Sequence, residues 1–305
     1  MTSPTEASGR FLGIDVARGY LTAVAVDAAY SMSEVIREKR YDGSDPLDRI
    51  VGFTKSAQDR LGAVDSIGIS LPGLINRHNG GVAFSVNIPE HSSLNIAQAT
   101  AEATGVPVKL ENDANAAALA EFVLGAGKGS SSMFYATIGD GVGGAFILEG
   151  KLWHGAAGFA GEFGYIAIDS EGTRLEEVAS SANIVRRTRS RFNRDSTSSL
   201  GKLPEEEIGI AEIVKAADEG DEFAHLMLER TGSYVGTAIA NVINLLNIET
   251  IVVGGEITHA KDIVVEAIIR RAKELSFSRA FDKTKILPSV LGEEAAAVGA
   301  ALIAR

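Results

Sequence analysis

The sequence contains no cysteine, and this absence removes several classes of chemistry. Disulfide bonds, thiolate metal sites and a cysteine nucleophile are all excluded. The histidines are few and scattered, so a metal site built from histidines is not expected. They are His78, His91, His154, His225 and His259. No apolar run reaches membrane-spanning length, and the first residues, MTSPTEASGR, are polar rather than signal-like. The sequence therefore predicts a cytoplasmic protein.

Proline is also scarce, and positive charge is outweighed by negative charge. The formal net charge of −11 argues against a general nucleic-acid-binding surface and against binding to an anionic membrane. A chain of 305 residues with 45% hydrophobic residues can bury an ample core. These values predict a globular protein, with two lobes as the expected organisation.

The segment VPVKLENDANAAALAEFVLG carries the first candidate for chemistry. Residues 106–110 predict a strand, and residues 114–124 predict a helix. Asp113 therefore lies where a strand passes into a helix N-terminus, whose N–H groups and dipole are expected to favour the ionised carboxylate. Such a carboxylate suits a general base that takes a proton from an alcohol. An ordinary helix cap is the alternative, and capping preference alone favours the cap.

Two segments of the chain share one design. Residues 11–27 and residues 135–148 each predict a strand, a tight turn that carries an aspartate, and a returning strand. The second turn, GDGVGG, is rich in glycine, which lets backbone N–H groups approach an anion closely. The repeat indicates an internal duplication in which each copy opens one lobe. Two such turns could clamp phosphates between them, although most glycine-rich turns only connect strands. Strands and helices alternate between the turns, which predicts an α/β fold, and the closing helix is expected to return to the first lobe.

Other polar residues follow predicted strands, where α/β folds place ligands. Asn87 is one such candidate, although a simple turn residue explains it slightly better. Glu162 is enclosed by the glycine-rich run of residues 150–164, and Glu176 opens a helix, where it also suits compensation of the helix dipole. The Gly254–Gly255 pair lies between a predicted strand and a helix, an arrangement that suits a nucleotide phosphate.

Residues 186–194 contain five arginines. A basic run of this kind can bind phosphates, but an acidic run at residues 205–207 follows it closely. A solvated helix face or a contact between subunits is the preferred interpretation.

The motifs occur in an order and spacing that resembles the ROK family of bacterial sugar kinases and sugar-responsive repressors. They are GID at 13–15, LPG at 71–73, NIP at 87–89, ENDANAAALAE at 111–121, GDGVGG at 139–144, GEFGY at 161–165, LEEVAS at 175–180, VVGG at 252–255 and GEEAAAVGAALIA at 292–304. The resemblance implies an α/β, two-lobed actin-like (ribonuclease H-like) ATPase fold of the sugar kinase type. The expected division is a tail at residues 1–10, an N-terminal lobe of residues 11–112 plus 293–305, and a C-terminal lobe of residues 113–292.

The resemblance also implies a role for individual side chains. Asp113 would deprotonate a sugar hydroxyl for attack on the γ-phosphate of ATP. Contacts with the sugar are implied for Asn87, Asn112, Glu162, Tyr165 and Glu176. Contacts with the nucleotide are implied for Asp15, Arg18, Gly19, Gly139, Asp140, Gly141, Gly143, Gly144, Gly254 and Gly255. Asp15 would in addition hold Mg²⁺.

The chain departs from the family pattern in both phosphate turns and at the zinc site. Family kinases usually have DxGGT in the first turn, where this chain has DVARGY, and Asp140 stands where a threonine is usual. Tyr165 replaces a histidine that serves both sugar and zinc. The cysteine-rich zinc loop is reduced to DSEGTR, so no structural zinc is expected.

Two functions remain in view. The intact residues near the chemistry favour an ATP-dependent kinase for a hexose or amino sugar such as glucose, N-acetylglucosamine or N-acetylmannosamine. The altered turns favour instead a sugar-binding sensor, similar to the ROK repressors, with weak or no kinase activity. The kinase is preferred because only about ten residues precede the first strand, so a helix-turn-helix domain and direct DNA binding are not expected. A homodimer through the second lobe is the family expectation.

Overall fold

The computed structural model describes residues 9–41, 43–76, 81–84, 95–192 and 197–305. The contacts divide the chain into two compact units. Unit 1 comprises Met1–Gly129, Lys151–Ala160 and Leu291–Arg305, and unit 2 comprises Ser130–Gly150 and Gly161–Val290. The predicted boundary before Asp113 differs from this division, since the helix that begins there packs within unit 1.

Strands and helices alternate along the described parts of the chain. The strands are β1 (Arg10–Val16), β2 (Tyr20–Asp27), β3 (Ile36–Lys39), β4 (Ser66–Leu71), β5 (Leu74–Asn76), β6 (Gly81–Phe84), β7 (Val108–Asn112), β8 (Met133–Ile138), β9 (Val142–Leu148), β10 (Lys151–Trp153), β11 (Thr250–Gly254) and β12 (Lys285–Pro288). The helices are α1 (Pro46–Leu61), α2 (Ile96–Thr104), α3 (Asp113–Val123), α4 (Glu176–Ala179), α5 (Ser181–Phe192), α6 (Ile210–Asp218), α7 (Glu222–Leu246), α8 (Lys261–Leu275), α9 (Ser278–Phe281) and α10 (Ala295–Ala304).

Among the described residues, the strands form two five-stranded sheets with the same connectivity, and β5 pairs with β6. The first sheet has the order β3-β2-β1-β4-β7, and the second has the order β10-β9-β8-β11-β12. In each sheet a hairpin is antiparallel, and the two strands beyond it run parallel to the hairpin's first strand. The predicted α/β class and the predicted pair of matching hairpins are therefore confirmed.

Each sheet buries apolar side chains beneath helices. All six residues of β4 are buried, as expected for a parallel strand covered on both faces. The core of unit 1 includes Leu12, Ile14, Phe53, Ile67 and Ile69. The core of unit 2 includes Phe134, Phe163, Ile239 and Ile251. Within the described residues, no helix combines the length and apolar character that a bilayer crossing requires.

Residues 166–168 do not form a regular strand. A short 3₁₀ helix covers Phe163–Tyr165, and the following segment makes only an isolated antiparallel bridge between Ala167 and Arg174. Asp169 turns this segment back, because its Oδ1 accepts the N–H groups of Glu171 at 3.1 Å and Thr173 at 2.9 Å. Local hydrogen bonds thus close the segment in which the sequence lacks the zinc loop of the family.

The closing helix α10 contacts the first sheet backbone to backbone. A Cβ atom at Gly68 in β4 would lie 1.8 Å from the carbonyl oxygen of Ala300. A Cβ atom at Gly299 would lie 1.7 Å from the carbonyl oxygen of Ala116 in α3. Only glycine permits this approach, and it confirms the expectation that the closing helix returns to the first lobe.

Replacing Gly68 by alanine is expected to destabilise unit 1 by about 3 kcal/mol or more, because the added methyl group overpacks a backbone contact that cannot yield. Unfolding in urea, followed by circular dichroism, measures the change. The matched control is Gly52→Ala, since Gly52 is exposed in α1 with open space around its Cβ position. There alanine is expected to stabilise by ~0.5–1 kcal/mol. Equal stability of Gly68→Ala and the parent chain would contradict the close contact.

Candidate active site

The carboxyl ends of the parallel strands β1, β4 and β7 meet at one edge of the first sheet. The register pairs Asp15 with Ser70, and Ser70 with Glu111. Asn112 ends β7, and Asp113 begins α3 directly after it. Because strand ends at one sheet edge face a common region, unit 1 gathers these polar side chains together.

The turn between β7 and α3 settles which residue caps the helix. Asn112 is the cap, since its Oδ1 accepts the N–H group of Asn115 at 3.1 Å. Its Nδ2 donates to the carbonyl oxygen of Gly73 at 3.1 Å. The alternative in which Asp113 is the helix cap is therefore wrong. Asp113 is the first helical residue, and its Oδ1 accepts the N–H group of Ala114 at 2.9 Å.

Burial has the largest effect on the pKa of Asp113. Removal from water raises the pKa of the Asp113 carboxyl, and this outweighs the hydrogen bonds from the Ala114 N–H group and the Asn112 side chain, which lower it. The backbone N–H groups of the helix N-terminus do favour the ionised form, as expected, but burial has the larger effect on the pKa. A carboxylate with a raised pKa is a stronger proton acceptor, which suits a general base working near neutral pH.

Asp15 lies at the end of β1 and is 8% exposed. Its Oδ1 accepts the hydroxyl of Ser70 at 2.8 Å. Burial raises the pKa of Asp15 to about 7; Ser70 lowers it, the nearby charge of Asp113 raises it, and Arg37 lowers it. The two carboxyl groups thus lie close enough to interact, and a cation between them would relieve both the burial and the repulsion.

The turn after Asp15 projects into solvent. Residues 17–19 connect β1 to β2, with the Ala17 N–H group donating to the carbonyl oxygen of Tyr20 at 3.0 Å. Arg18 and Gly19 are both exposed, and a side chain at position 19 would meet open space. Neither residue is fixed by packing, so both stay available for a ligand.

Sequence reasoning missed a buried pair beside the Asn112–Asp113 turn. His154 Nε2 lies 2.9 Å from Glu111 Oε2, and Glu111 Oε1 accepts the N–H group of Asn112 at 3.0 Å. Glu111 is part of the ENDAN motif, but a single histidine 43 residues later carries no local signal of its partner.

In unit 2, backbone contacts link the turn of the second hairpin to neighbouring segments. In the turn of residues 139–141, the Gly139 N–H group donates to the carbonyl oxygen of Gly141 at 2.9 Å. The Ser181 N–H group donates to the carbonyl oxygen of Gly139 at 2.8 Å. Gly255, with a φ of +87°, packs against the backbone of Ile138, where a Cβ atom would lie 2.4 Å from the carbonyl oxygen. The structure thus brings the second turn and the Gly254–Gly255 pair together.

Packing explains some of the glycines that the family resemblance assigned to the nucleotide. A Cβ atom at Gly144 would meet the ring of Phe134 and the Cβ atom of Phe163, and one at Gly254 would meet the Tyr135 hydroxyl. Gly143 is paired with Thr137 in the hairpin. Asp140, in contrast, is exposed at the tip of the turn.

The carboxylates and the tyrosine assigned to the sugar have different surroundings. Glu176 Oε2 accepts the N–H group of Val142 at 2.9 Å, so one of its oxygens supports the second hairpin. Glu162 is exposed just before the 3₁₀ helix. Tyr165 is 57% exposed, with the guanidinium of Arg174 4.6 Å from the ring centre. Asn87 lies outside the described residues.

Among the described residues, no cluster of three or more His, Cys, Asp or Glu side chains forms a ready-made metal site. In phosphoryl-transfer sites Mg²⁺ is usually held by one or two carboxylates together with phosphate oxygens and water. Asp15 fits that role, because a bound cation would favour the ionised carboxylate that burial now disfavours.

The duplicated sheets, each with a hairpin turn beside the carboxyl ends of parallel strands, define a two-lobed actin-like α/β protein. The family model described as "ROK family" matches residues 11–305. The chain belongs to the ROK family.

Its relatives include kinases and regulators. A glucokinase from Halalkalibacterium halodurans is 34% identical over 269 residues, which cover 84% of this chain and 80% of that protein. The crystal structure of a ROK family glucokinase from Streptomyces griseus, in complex with glucose and AMPPNP, has a TM-score of 0.87 at 27% identity and covers 97% of this chain and 99% of its own. The DNA-binding transcriptional repressor Mlc from Escherichia coli is 27% identical over 315 residues, covering 98% of this chain and 76% of the repressor.

The raised pKa of Asp15 predicts a pH-dependent stability. Between the ordinary value of 3.8 and about 7, the folded chain binds a proton that the unfolded chain does not, so stability falls as the pH rises through this range. Asp15→Asn keeps an oxygen for the Ser70 hydroxyl but removes the titration. Without nucleotide or divalent cation, the variant is expected to be more stable than the parent at pH 8, by about 2–4 kcal/mol.

The difference is expected to shrink as the pH is lowered towards 4. Urea unfolding at several pH values measures it, and Asp59→Asn, at an exposed position of α1, serves as the control. A constant difference across this range would contradict a buried, titrating Asp15.

Proposed function

We propose that this chain is an ATP-dependent sugar kinase that transfers the γ-phosphate of ATP to a hydroxyl of a hexose or amino sugar. The observation that carries the proposal is the state of Asp113. Its carboxyl has a raised pKa, is not the helix cap, and lies at a sheet edge with Asp15. Glucose, N-acetylglucosamine and N-acetylmannosamine are the candidate acceptors.

In the proposed reaction, the Asp113 carboxylate takes the proton of the sugar hydroxyl. The hydroxyl oxygen then bonds to the γ-phosphorus while the bond between that phosphorus and the β,γ-bridging oxygen breaks, which leaves a sugar phosphate and ADP. Transfers of this kind depend on positioning and on neutralising charge rather than on a covalent enzyme intermediate. A base placed by a rigid strand-to-helix turn supplies the positioning.

Asn112, Glu162, Tyr165 and Glu176 are assigned to the sugar, with Asn87 as a further candidate. Amide and carboxylate groups match the donors and acceptors of sugar hydroxyls. Asn112 Oδ1 accepts the capping hydrogen bond and can accept a second one from a ligand. Glu176 Oε2 accepts the N–H group of Val142, and its Oε1 is assigned to the ligand. Tyr165 offers an exposed ring face.

The nucleotide is assigned to Asp15, Arg18, Gly19, Asp140 and the glycines of the second turn, with Gly254 and Gly255 beside the adenosine. Mg²⁺, when bound, would neutralise phosphate charge, and Asp15 is the residue that would hold it. A homodimer stays a prediction from the family resemblance.

A sugar-responsive sensor is the second candidate, favoured by two observations. Asp140 is exposed at the tip of the second turn, where its charge would repel a triphosphate, and the first turn lacks a threonine hydroxyl. Calorimetric titration separates the two candidates. Sugar binding without any binding of Mg·ATP at millimolar concentration would favour the sensor and defeat the kinase.

Replacing Asp113 by asparagine tests the kinase directly. ADP release, coupled to a spectroscopic readout over the three candidate sugars, is expected to fall by at least about 100-fold, because the proton acceptor is lost while the shape is kept. Sugar affinity, measured by calorimetry, is expected to stay within a few fold. The exposed control Asp59→Asn should match the parent. An Asp113→Asn variant with undiminished turnover would refute the assignment of the base.

Replacing Asp140 by threonine is expected to strengthen binding of Mg·ATP by up to about fivefold, because an exposed negative charge beside the phosphates contributes up to ~1 kcal/mol. Asp140→Asn is the matched variant, since it removes the charge without supplying a hydroxyl. Weaker nucleotide binding by both variants would show that Asp140 is a ligand in this site, through a bound cation.

A further inference from the structure

The contact between His154 and Glu111 is well shielded from solvent, and the proposed chemistry gives it no role. The side chains are 16% and 9% exposed, and the distance from His154 Nε2 to Glu111 Oε2 is 2.9 Å. His154 follows β10 in the chain, 43 residues after its partner. A contact between such distant parts of the sequence fixes the local geometry of both.

Glu111 uses its other oxygen on the turn that carries the proposed base. Oε1 accepts the N–H group of Asn112 and the Nδ2 group of Asn115, both at 3.0 Å. Burial raises the pKa of Glu111, but the hydrogen bonds from His154, Asn115 and Asn112 outweigh it, and the pKa lies below its usual value. Glu111 is therefore a carboxylate at neutral pH and accepts every one of these hydrogen bonds. His154 must then carry a proton on Nε2.

These contacts hold the turn on both sides of Asp113. Asn112 precedes Asp113 and is fixed by Glu111 through its N–H group, while Asn115 follows it and is fixed through its side chain. The Asn112 side chain in turn caps the N–H group of Asn115. Glu111 is thus the centre of a hydrogen-bonded network around Asp113, and His154 supplies the donor for its remaining oxygen.

We propose that His154 is a positioning residue for sugar phosphorylation, which acts by holding the Glu111 carboxylate and through it the turn that presents Asp113. The proposal rests on the kinase function proposed above. Loss of the histidine leaves a buried carboxylate oxygen without this donor, and the network around Asp113 must rearrange to satisfy it. Displacement of a reacting group by about 1 Å can cost roughly 100-fold in rate.

The test compares His154→Leu with His154→Gln, whose side-chain amide can donate to Glu111. For the leucine variant, kcat is expected to fall by about 10- to 100-fold while KM for ATP changes by less than about twofold. The glutamine variant should recover kcat to within about threefold of the parent, because the donor is restored. His225→Leu, at an exposed position of α7, is the matched control and should behave as the parent. All variants are assayed below their unfolding transitions in urea.

A double-mutant cycle with Glu111→Gln shows whether His154 acts through Glu111. In the Glu111→Gln background, adding His154→Leu is expected to change kcat by less than about twofold, because coupled residues do not act additively. Parent-like kcat in His154→Leu, or equal losses in the leucine and glutamine variants, would overturn the positioning role while leaving the kinase intact. Absence of turnover in the parent chain itself would defeat the kinase function, and this inference with it.

Discussion

Helix α10 approaches the first sheet so closely that carbonyl oxygens of the helix occupy the space where side chains of β1 and β4 would begin. Gly13 precedes Asp15 by two residues, and Gly68 precedes Ser70 by two. Gly299 makes the same kind of contact with Ala116, in the first turn of the helix that Asp113 begins. Helix α10 therefore sets the spacing of β1, β4 and α3, of which β1 carries the proposed cation ligand and α3 the proposed base. The site depends on a contact made by the far end of the sequence.

Three carboxyl groups at this sheet edge differ because their surroundings differ. Burial raises the pKa of both Asp15 and Asp113, and the charge of Asp113 raises that of Asp15 further. Glu111 is also buried, but three hydrogen bonds stabilise its charge. This edge thus holds one carboxylate that is fixed by hydrogen bonds, and two carboxyl groups whose charged form is disfavoured unless a cation is bound. Different surroundings that move the pKa values of similar carboxyl groups apart give those groups different roles.

Local sequence signals predicted the hairpins, the strand-to-helix junction at Asp113 and the α/β class, because each rests on periodicity and turn residues within a short window. Other features need information from distant residues. The choice of Asn112 over Asp113 as the cap follows from backbone angles at the end of β7, and the raised pKa of Asp113 follows from burial by other elements. The partner of His154 and the packing reason for Gly144 likewise appear only when separate strands are brought together.

The departures from the family pattern are exposed residues. Arg18, Asp140 and Tyr165 are all exposed, whereas Asp15 and Asn112, which match the pattern, take part in hydrogen bonds that the fold requires. Substitution of an exposed residue changes the free energy of unfolding little. The residues at these positions are therefore constrained by ligand binding more than by stability. Under the proposed function, a kinase and a sensor would therefore share the fold and differ in the residues of the exposed turns. The raised pKa of Asp113 comes from burial within unit 1 and not from the exposed phosphate turns, so the proposed proton transfer and the proposed nucleotide binding depend on different parts of the chain.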